Sequence, residues 1–277
     1  MLKITEPEFL LMKQYIEDHC GIHLQEGKEY LIESRLSDLV IETGSNSFQE
    51  FHLKTRTDST GRLKERIIDA MTTNETYWFR DDSAWEYIRE KAVPNILDIA
   101  KTAGKARIWS SAASTGQEAY SLLMLLDEAA KQKGNPSLLD KIEIIGTDIS
   151  SQALLLAQAG RYSSIAMGRG LPKEKTKNYF TQQGTIWILD QNFKKRVTFK
   201  KFNLQDDFMP LGLFDLILCR NVIIYFSDKF KKSLFSKLAR VLKPKGVLIL
   251  GASETLRGFS DDFDIQYYKN AVLNIKK

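Results

Sequence analysis

Hydrophobic residues in the first 70 positions recur at the spacing of an α-helix. Apolar side chains at positions 9, 10, 12, 15 and 16 form one face of a predicted helix that ends at Gly21. The same spacing predicts three further helices, over residues 30–40, 47–53 and 63–71. Because no strand-like alternation interrupts them, residues 1–71 are predicted to form a small all-α domain.

From residue 107 onward, short apolar runs alternate with helical segments. Strands are predicted over 107–109, 143–147, 197–202, 214–219 and 247–250, and helices over 117–130, 151–159 and 228–241. This alternation is typical of right-handed βαβ units on a parallel sheet. The pattern predicts a doubly wound α/β domain over residues 91–277, joined to the helical domain by a linker over residues 72–90.

Two segments depart from this alternation. Residues 185–189 and 196–199 are predicted to pair as antiparallel strands around a turn at 190–192, within a small inserted β subdomain at about residues 180–200. Residues 263–268 and 271–275 are predicted to form a hairpin around Asn270.

The composition is that of an ordinary globular protein. Of the 277 residues, 43% are hydrophobic and 27% are charged, which excludes intrinsic disorder and fibrous structure. The apolar runs are too short to cross a bilayer, and the acidic N-terminus does not resemble a signal peptide. We therefore expect a cytoplasmic protein without membrane insertion, in which Cys20 and Cys219 are buried thiols.

Charge is unevenly distributed along the chain. Residues 1–70 contain nine Lys and Arg against thirteen Asp and Glu, whereas the remainder contains 31 against 22. The basic part would favour an anionic ligand or partner, although ordinary variation of surface charge is an equally open explanation.

Small residues follow the first predicted strand of the α/β domain. A turn of this kind lets a ligand approach the main chain at a helix N-terminus, although it lacks the three glycines of the dinucleotide fingerprint. Asp148 ends the next strand, where nucleotide-binding folds place a carboxylate that accepts the ribose hydroxyls. Each feature also has a simpler explanation that stays open, in which Ser114 or Thr115 and Asp148 only cap the helices that follow them.

Polar and aromatic residues are dense at two other places. Residues 72–81 join the two domains and would suit a wall that covers a ligand, or alternatively a packed hinge. The residues concerned are Asn74, Thr76, Tyr77, Trp78, Phe79 and Arg80.

Residues 214–226 place Arg220, Asn221 and Tyr225 at the carboxyl edge of a buried strand, where open α/β sheets bind ligands. This segment lacks the two prolines of the N-P-P-Y motif of adenine-methylating enzymes.

Histidine chemistry is excluded from the α/β domain because all three histidines precede residue 72. His19 and His23 flank Cys20, but no further ligand supports them and Gly21 interrupts the helical spacing. We therefore predict no metal site.

Five ordered motifs make the chain resemble CheR-type chemoreceptor glutamate methyltransferases over essentially its whole length. They are T-T-N-x-T-x-x-F-R at 72–80, S-A-A-S-T-G-x-E-x-Y-S at 111–121, T-D-I-S at 147–150, F-N-L at 202–204 and C-R-N-V-x-I-Y-F at 219–226. The resemblance implies a Rossmann-like methyltransferase sheet that binds S-adenosylmethionine beneath a helical N-terminal domain.

The resemblance also implies which residues bind the cofactor and which act in catalysis. The implied cofactor-binding residues are Asn74, Thr76, Arg80, Ala112, Glu118, Asp148, Asn203, Leu204, Arg220 and Asn221. Glu118 would hold the methionine ammonium and Asp148 the ribose hydroxyls. Tyr225 would lie near the transferred methyl group, and Arg220 would also lie near the incoming carboxylate as a catalytic residue.

The implied substrates are glutamates on the cytoplasmic methylation helices of bacterial chemoreceptors, with recruitment of a monomeric enzyme to receptor arrays. Two departures qualify this picture. Family members often carry several arginines on the second helix, whereas here Arg35 is accompanied by Ser37, Asp38 and Val40. The β subdomain is short, with Gly184 its only glycine, so we expect no dependence on a receptor pentapeptide tether.

Two alternatives to this function stay open from the sequence. One is a module that senses S-adenosylmethionine or its product without turnover, which an intact Arg220 and Tyr225 disfavour. The other is a nucleic-acid methyltransferase that uses the basic body, which the missing prolines and the lack of a nucleophilic cysteine motif disfavour.

Overall fold

The computed structural model describes residues 2–277, and its N-terminal part consists of four helices. These are α1 (Glu6–Cys20), α2 (Glu29–Glu42), α3 (Phe48–Thr57) and α4 (Arg62–Met71). Gly21 ends α1 in the left-handed conformation, at φ +73°. The buried faces form one apolar core that includes Phe9, Leu36 and Phe51. The four predicted helices are confirmed, each somewhat longer than its apolar pattern.

An extended segment follows α4 and leads to a long interrupted helix. It consists of α5 (Asp82–Tyr87), a π-helical turn (Ile88–Ala92) and α6 (Val93–Thr102). The sequence did not predict this helix. Its buried side packs into the large core on one face of the central sheet.

The central sheet has seven strands, in the order β6-β2-β1-β7-β8-β10-β9. They are β1 (Ala106–Ser110), β2 (Ile142–Asp148), β6 (Val197–Lys201), β7 (Phe214–Cys219), β8 (Leu242–Leu250), β9 (Phe263–Tyr268) and β10 (Ala271–Lys276). The five strands from β6 to β8 run parallel, and β10 and β9 add the predicted antiparallel hairpin. The doubly wound prediction is confirmed, and the strand order reverses between β1 and β7.

Helices cover both faces of this sheet. The predicted helices are present as α7 (Gln117–Gln132), α8 (Ser151–Ala159) and α12 (Asp228–Val241). Two apolar cores result, one containing Ile108 and Leu125 and the other containing Trp109 and Leu238. This arrangement leaves the carboxyl ends of β1, β2 and β7 together at one edge of the sheet.

The inserted β subdomain is present, but one predicted strand pairing is wrong. A separate antiparallel sheet has the order β3-β5-β4, formed by β3 (Arg161–Ser163), β4 (Phe180–Gln183) and β5 (Ile186–Leu189), while α9 (Ser164–Gly168) and α10 (Lys173–Tyr179) connect β3 to β4. Thus β5 pairs with β4 across the turn at Gly184, and β6 instead joins the central sheet parallel to β2. Asp190 caps the short helix α11 (Gln191–Lys194) by accepting from the Phe193 N–H, so the expected turn is helical.

Among residues 2–277, no helix combines the length and the apolarity needed to cross a bilayer.

Candidate functional site

One cavity lies at the carboxyl ends of β1, β2 and β7, where the strand order reverses. Open α/β sheets bind ligands at such switch points. The residues that the resemblance implied for cofactor binding or catalysis all line this cavity, namely Asn74, Thr76, Arg80, Ala112, Glu118, Asp148, Asn203, Leu204, Arg220, Asn221 and Tyr225. The fold thus brings together five motifs that lie up to about 150 positions apart in the chain.

The turn after β1 forms the floor of the cavity. It is held to both neighbouring strands, because the Ser111 N–H donates to Leu218 O at 2.9 Å and the Ala113 N–H donates to Thr147 O at 2.8 Å. Gly116 has φ +93°, and a β-carbon there would lie 3.0 Å from the side chains of Ala157 and Tyr120. The Oγ of Ser111 is buried and has no hydrogen-bond partner, although the residue lines the cavity. A polar ligand atom would satisfy it.

Asp148 has acceptor capacity that the protein itself does not use. One carboxylate oxygen accepts from the Ser114 N–H at 2.8 Å and the other from the Ser150 N–H at 2.9 Å. Burial raises the pKa of this carboxyl above its usual value, and these main-chain donors oppose the rise. Because a carboxylate accepts about four hydrogen bonds, Asp148 can still receive two hydroxyl donors from a ribose.

Arg220 lies between two carboxylates rather than free in the cavity. Its guanidinium donates to Glu118 Oε2 at 2.8 Å and to Asp81 Oδ2 at 3.1 Å, and its side chain is only 1% exposed. It also donates to the carbonyl oxygen of Arg80. Glu118 accepts a further bond from Ser110 Oγ at 2.7 Å. Arg220 therefore fixes the Glu118 carboxylate and the linker, contacts that the sequence did not indicate.

Of the three aromatic linker residues predicted to cover a ligand, one lines the cavity. Tyr77 lines the cavity, and the guanidinium groups of Arg80 and Arg169 lie 5.4 and 5.2 Å from the centre of its ring. The expectation that Trp78 and Phe79 would face the ligand is wrong, because both are buried in the core of the α/β domain. Trp78 instead packs edge-on against two rings of the β subdomain, Tyr162 and Phe180.

The helical domain closes one side of the cavity. Asn203 lines the cavity, but its side-chain amide donates to the carbonyl oxygen of His19 at 2.8 Å, at the end of α1. Asp69 of α4 accepts from Ser150 Oγ at 2.7 Å, beside Asp148. Arg35 donates to Thr73 Oγ1 at 3.0 Å and to the carbonyl oxygen of Met71. Arg35 of α2 thus holds the start of the linker.

The loop after β7 presents Asn221 and Tyr225 to the cavity. Asn221 has the left-handed φ of +57°, and residues Ile223–Tyr225 form a single 3₁₀ turn. Glu254, in the loop after β8, accepts hydrogen bonds from main-chain N–H groups of this segment. The sequence did not single out Glu254, because one glutamate in a polar loop looks like an ordinary surface charge.

Both cysteines are buried, as expected. Cys219 ends β7, and burial raises the pKa of its thiol to about 12. The thiolate is therefore scarce at neutral pH, and Cys219 does not supply a nucleophile.

The polar groups of the cavity suit a nucleoside cofactor that carries a cationic amine. Asp148 offers acceptors for two hydroxyls, Glu118 offers a carboxylate for a cationic amine, and the orphaned Ser111 Oγ needs a polar partner. These features, on a doubly wound sheet at its switch point, are those that a methyltransferase dependent on S-adenosylmethionine requires, because this cofactor carries both a ribose and a cationic amine.

Comparison with known proteins identifies the family. Residues 74–272 match the model described as CheR methyltransferase, SAM binding domain, and residues 7–72 match CheR methyltransferase, all-alpha domain. The chain therefore belongs to the CheR methyltransferase family, and S-adenosylmethionine is its cofactor.

Relatives align with this chain over nearly their whole length. Chemotaxis protein methyltransferase 1 of Pseudomonas aeruginosa is 40% identical, with 95% of this chain and 96% of the relative covered. Chemotaxis protein methyltransferase Cher2 of Pseudomonas putida is also 40% identical, with coverages of 93% and 94%. Chemotaxis protein methyltransferase of Vibrio parahaemolyticus is 38% identical, with coverages of 95% and 94%.

Proposed function

We propose that this protein transfers the methyl group of S-adenosylmethionine to glutamate side chains of chemoreceptors, forming glutamate methyl esters for sensory adaptation. The observation that carries the proposal is that residues from all five motifs converge on one cavity between the helical domain and the sheet. The names of the relatives support chemoreceptors as the substrates.

We assign cofactor-binding roles to the residues of this cavity. Asp148 accepts the ribose hydroxyls, and Glu118, oriented by Arg220, receives the methionine ammonium. Asn74, Thr76 and Arg80 act from the linker, Ala112 acts from the floor, and Asn203, Leu204 and Asn221 act from the opposite wall. Since the Asn203 amide is bonded to the helical domain, we assign its contact to the main chain.

The chemistry requires little from the protein beyond alignment. The cofactor supplies a methyl group on a positively charged sulfur. A glutamate with a pKa of about 4.3 is already ionised at neutral pH, so it needs no general base. The residues around the cavity have to orient the carboxylate and exclude water. We propose that Tyr225 lies beside the reacting groups. We propose that Arg220 acts on the incoming carboxylate chiefly as a nearby charge, because its two terminal nitrogens already bind Glu118, Asp81 and the carbonyl oxygen of Arg80, whereas its Nε–H has no partner.

Transfer of a labelled methyl group tests the function. The protein would be incubated with radiolabelled S-adenosylmethionine and either chemoreceptor-containing membranes or nucleic acid from the same source. We expect label only on receptor protein, and its release as methanol by mild base because the product is an ester. Label on nucleic acid would overturn the proposal. Binding of the cofactor without any transfer would identify a sensor module instead.

We propose further that a cytoplasmic, monomeric enzyme works at receptor arrays without a pentapeptide tether. Only Gly184 and Thr185 separate β4 from β5, which supports the absence of a long peptide-binding loop. Calorimetry against a peptide that ends in the aromatic-containing receptor tail tests this, and micromolar binding would contradict it. We retain residues 1–71, 72–90 and 91–277 as the proposed helical domain, linker and catalytic domain.

A further inference from the structure

The loop that follows β7 holds an intrinsically unfavourable conformation. Asn221 lies in the left-handed region at φ +57°, which is costly for a residue with a side chain, although asparagine tolerates it better than most. The following 3₁₀ turn spans only Ile223–Tyr225. Because so short a turn has little stability of its own, contacts from elsewhere must hold this loop.

Glu254 supplies those contacts from the loop after β8. Its Oε2 accepts from the Asn221 N–H at 2.7 Å and from the Gly251 N–H at 2.7 Å. Its Oε1 accepts from the Ile223 N–H at 2.9 Å and from the Ile224 N–H at 3.3 Å. One carboxylate therefore binds three main-chain N–H groups of the β7 loop, and it also binds the Gly251 N–H of its own loop.

The close approach of the two loops also depends on Gly251. A β-carbon at this position would lie 2.7 Å from the Asn221 side-chain nitrogen, 2.7 Å from Glu254 Oε2 and 2.9 Å from the Asn221 main-chain nitrogen. Contacts under 3.0 Å force neighbouring atoms to move, so only glycine allows the two loops to touch here. The next residue, Ala252, donates its N–H to Asp81, which also binds Arg220.

We propose that Glu254 is a positioning residue for methyl transfer, which holds Asn221 and Tyr225 at the cavity by binding the main chain between them. It touches neither cofactor nor substrate in this proposal. The inference rests on the proposed function, since it assigns the β7 loop a part in that reaction.

The charge and shape of the carboxylate both matter for this role. All four of its partners are N–H donors, and a carboxylate is an acceptor at both oxygens. Glutamine has almost the same shape, but whichever way its amide points, one NH₂ group faces two N–H donors. Glu254→Gln therefore removes two of the four bonds and sets donors against each other without opening a cavity.

The experiment compares Glu254→Gln with wild type and with Ser253→Ala, an exposed position in the same loop. Turnover with receptor substrate, KM, the Kd for S-adenosylhomocysteine and hydrogen exchange of residues 220–226 are measured on each protein. Because a displacement of about 1 Å can lower a rate by about 100-fold, we expect kcat to fall at least about tenfold in Glu254→Gln. We expect KM for the receptor substrate to stay within about threefold, and the Kd for S-adenosylhomocysteine to rise by a much smaller factor than kcat falls, since Asn221 is the one assigned cofactor contact whose main chain Glu254 binds. We expect exchange to accelerate over residues 220–226 alone.

Three results would overturn the proposal: a kcat within about twofold of wild type, losses of kcat and cofactor affinity by the same factor, or exchange that accelerates throughout the chain. Gly251→Ala is the second variant if Glu254→Gln binds no S-adenosylhomocysteine at all, because it displaces the same loop. It must then lower kcat by a much larger factor than it raises the Kd. If wild type itself transfers no methyl group, the proposed function fails, and the exchange measurement still decides whether Glu254 holds the loop.

Discussion

Replacement of Asp148 tests the cofactor site at its most specific contact. The carboxylate uses one bond on each oxygen to hold Ser114 and Ser150, and its remaining capacity is assigned to two ribose hydroxyls. A hydrogen bond to a charged group contributes about 1.5–3 kcal/mol, and about 1.4 kcal/mol corresponds to a tenfold change in Kd. Asp148→Asn keeps one acceptor oxygen, so we expect S-adenosylhomocysteine to bind about 10- to 100-fold more weakly. Asp148→Ala removes both acceptors and should weaken binding by at least about 100-fold.

Titration calorimetry measures these losses, with Asp140→Asn as the matched control. Asp140 lies in the turn just before β2, and its exposed carboxylate pairs only with Arg196 on the surface, where ion pairs contribute little. The dideoxy analogue of S-adenosylhomocysteine completes a double-mutant cycle, because it should bind wild type and Asp148→Ala with similar affinity. Binding of the natural ligand to a folded Asp148→Ala within about threefold of wild type would refute the assigned contact.

Three further predictions follow from other parts of the structure. Tyr225→Phe should lower kcat by about tenfold or more and leave the Kd for S-adenosylhomocysteine nearly unchanged, because Tyr225 is assigned to the reacting groups; steady-state kinetics and calorimetry separate the two. Gly170→Ala should lower the melting temperature and weaken cofactor binding. Gly170 has the left-handed φ of +85°, and a β-carbon there would lie 2.1 Å from the carbonyl oxygen of Trp78, in the linker that covers the cavity. Hydrogen bonding to Arg107 lowers the pKa of Glu143 to about 2, so Glu143→Gln should reduce the free energy of unfolding by about 1–2 kcal/mol at pH 7 after allowance for its partial exposure. This difference should shrink as the pH falls below about 4.5 toward 2, since the unfolded chain then binds the proton first; urea unfolding at pH 7 and 3.5 measures it.

Each of these changes has a control within the chain. Tyr30→Phe removes a hydroxyl from an exposed tyrosine that does not line the cavity, and it should leave kcat unchanged. Gly134→Ala has a similar left-handed φ of +67° but meets no atom within 4 Å, so it should cost only about 1 kcal/mol. Equal losses of affinity in Tyr225→Phe and Asp148→Ala would contradict the catalytic role assigned to Tyr225. Equal destabilisation by Gly170→Ala and Gly134→Ala would contradict the steric clash at Gly170. An effect of Glu143→Gln that does not change with pH would contradict the lowered pKa of Glu143.

The central elements of the fold were predictable because local signals agreed with the tertiary structure. α8 and α12 begin immediately after serines, and the Ser150 side chain accepts from the Ala153 N–H as an N-cap. The strand β7 was predicted with its observed bounds because it is a continuous apolar run in a buried parallel sheet.

The wrong predicted pairing of residues 196–199 with residues 185–189 shows where local reasoning fails. Two predicted strands close together in the sequence suggested a hairpin. In the structure Asp190 caps the short helix α11 instead, and β6 pairs with β2, which lies about 50 positions earlier in the chain. Strand pairing over such a separation depends on the whole sheet and leaves no local pattern. The packing of Trp78 inside the core was hidden in the same way, since an aromatic residue in a linker fits either a core or a ligand wall.

The polar contacts of the site were the least predictable feature. Motifs indicated which residues line the cavity, but not that Arg220 lies between Glu118 and Asp81 or that Glu254 binds four main-chain N–H groups. Apart from the bond between Glu254 and Gly251, these contacts join segments about 30 to 140 positions apart, and a single charged residue carries no sequence signal of its partner.

A crystal structure of the protein with S-adenosylhomocysteine would show where the cofactor binds. We expect ligand density at the carboxyl ends of β1, β2 and β7, with both ribose hydroxyls on Asp148 and the linker around Tyr77 above it. Density for the ligand at another place, or a cavity filled by the protein's own side chains in those crystals, would contradict the assigned cofactor site.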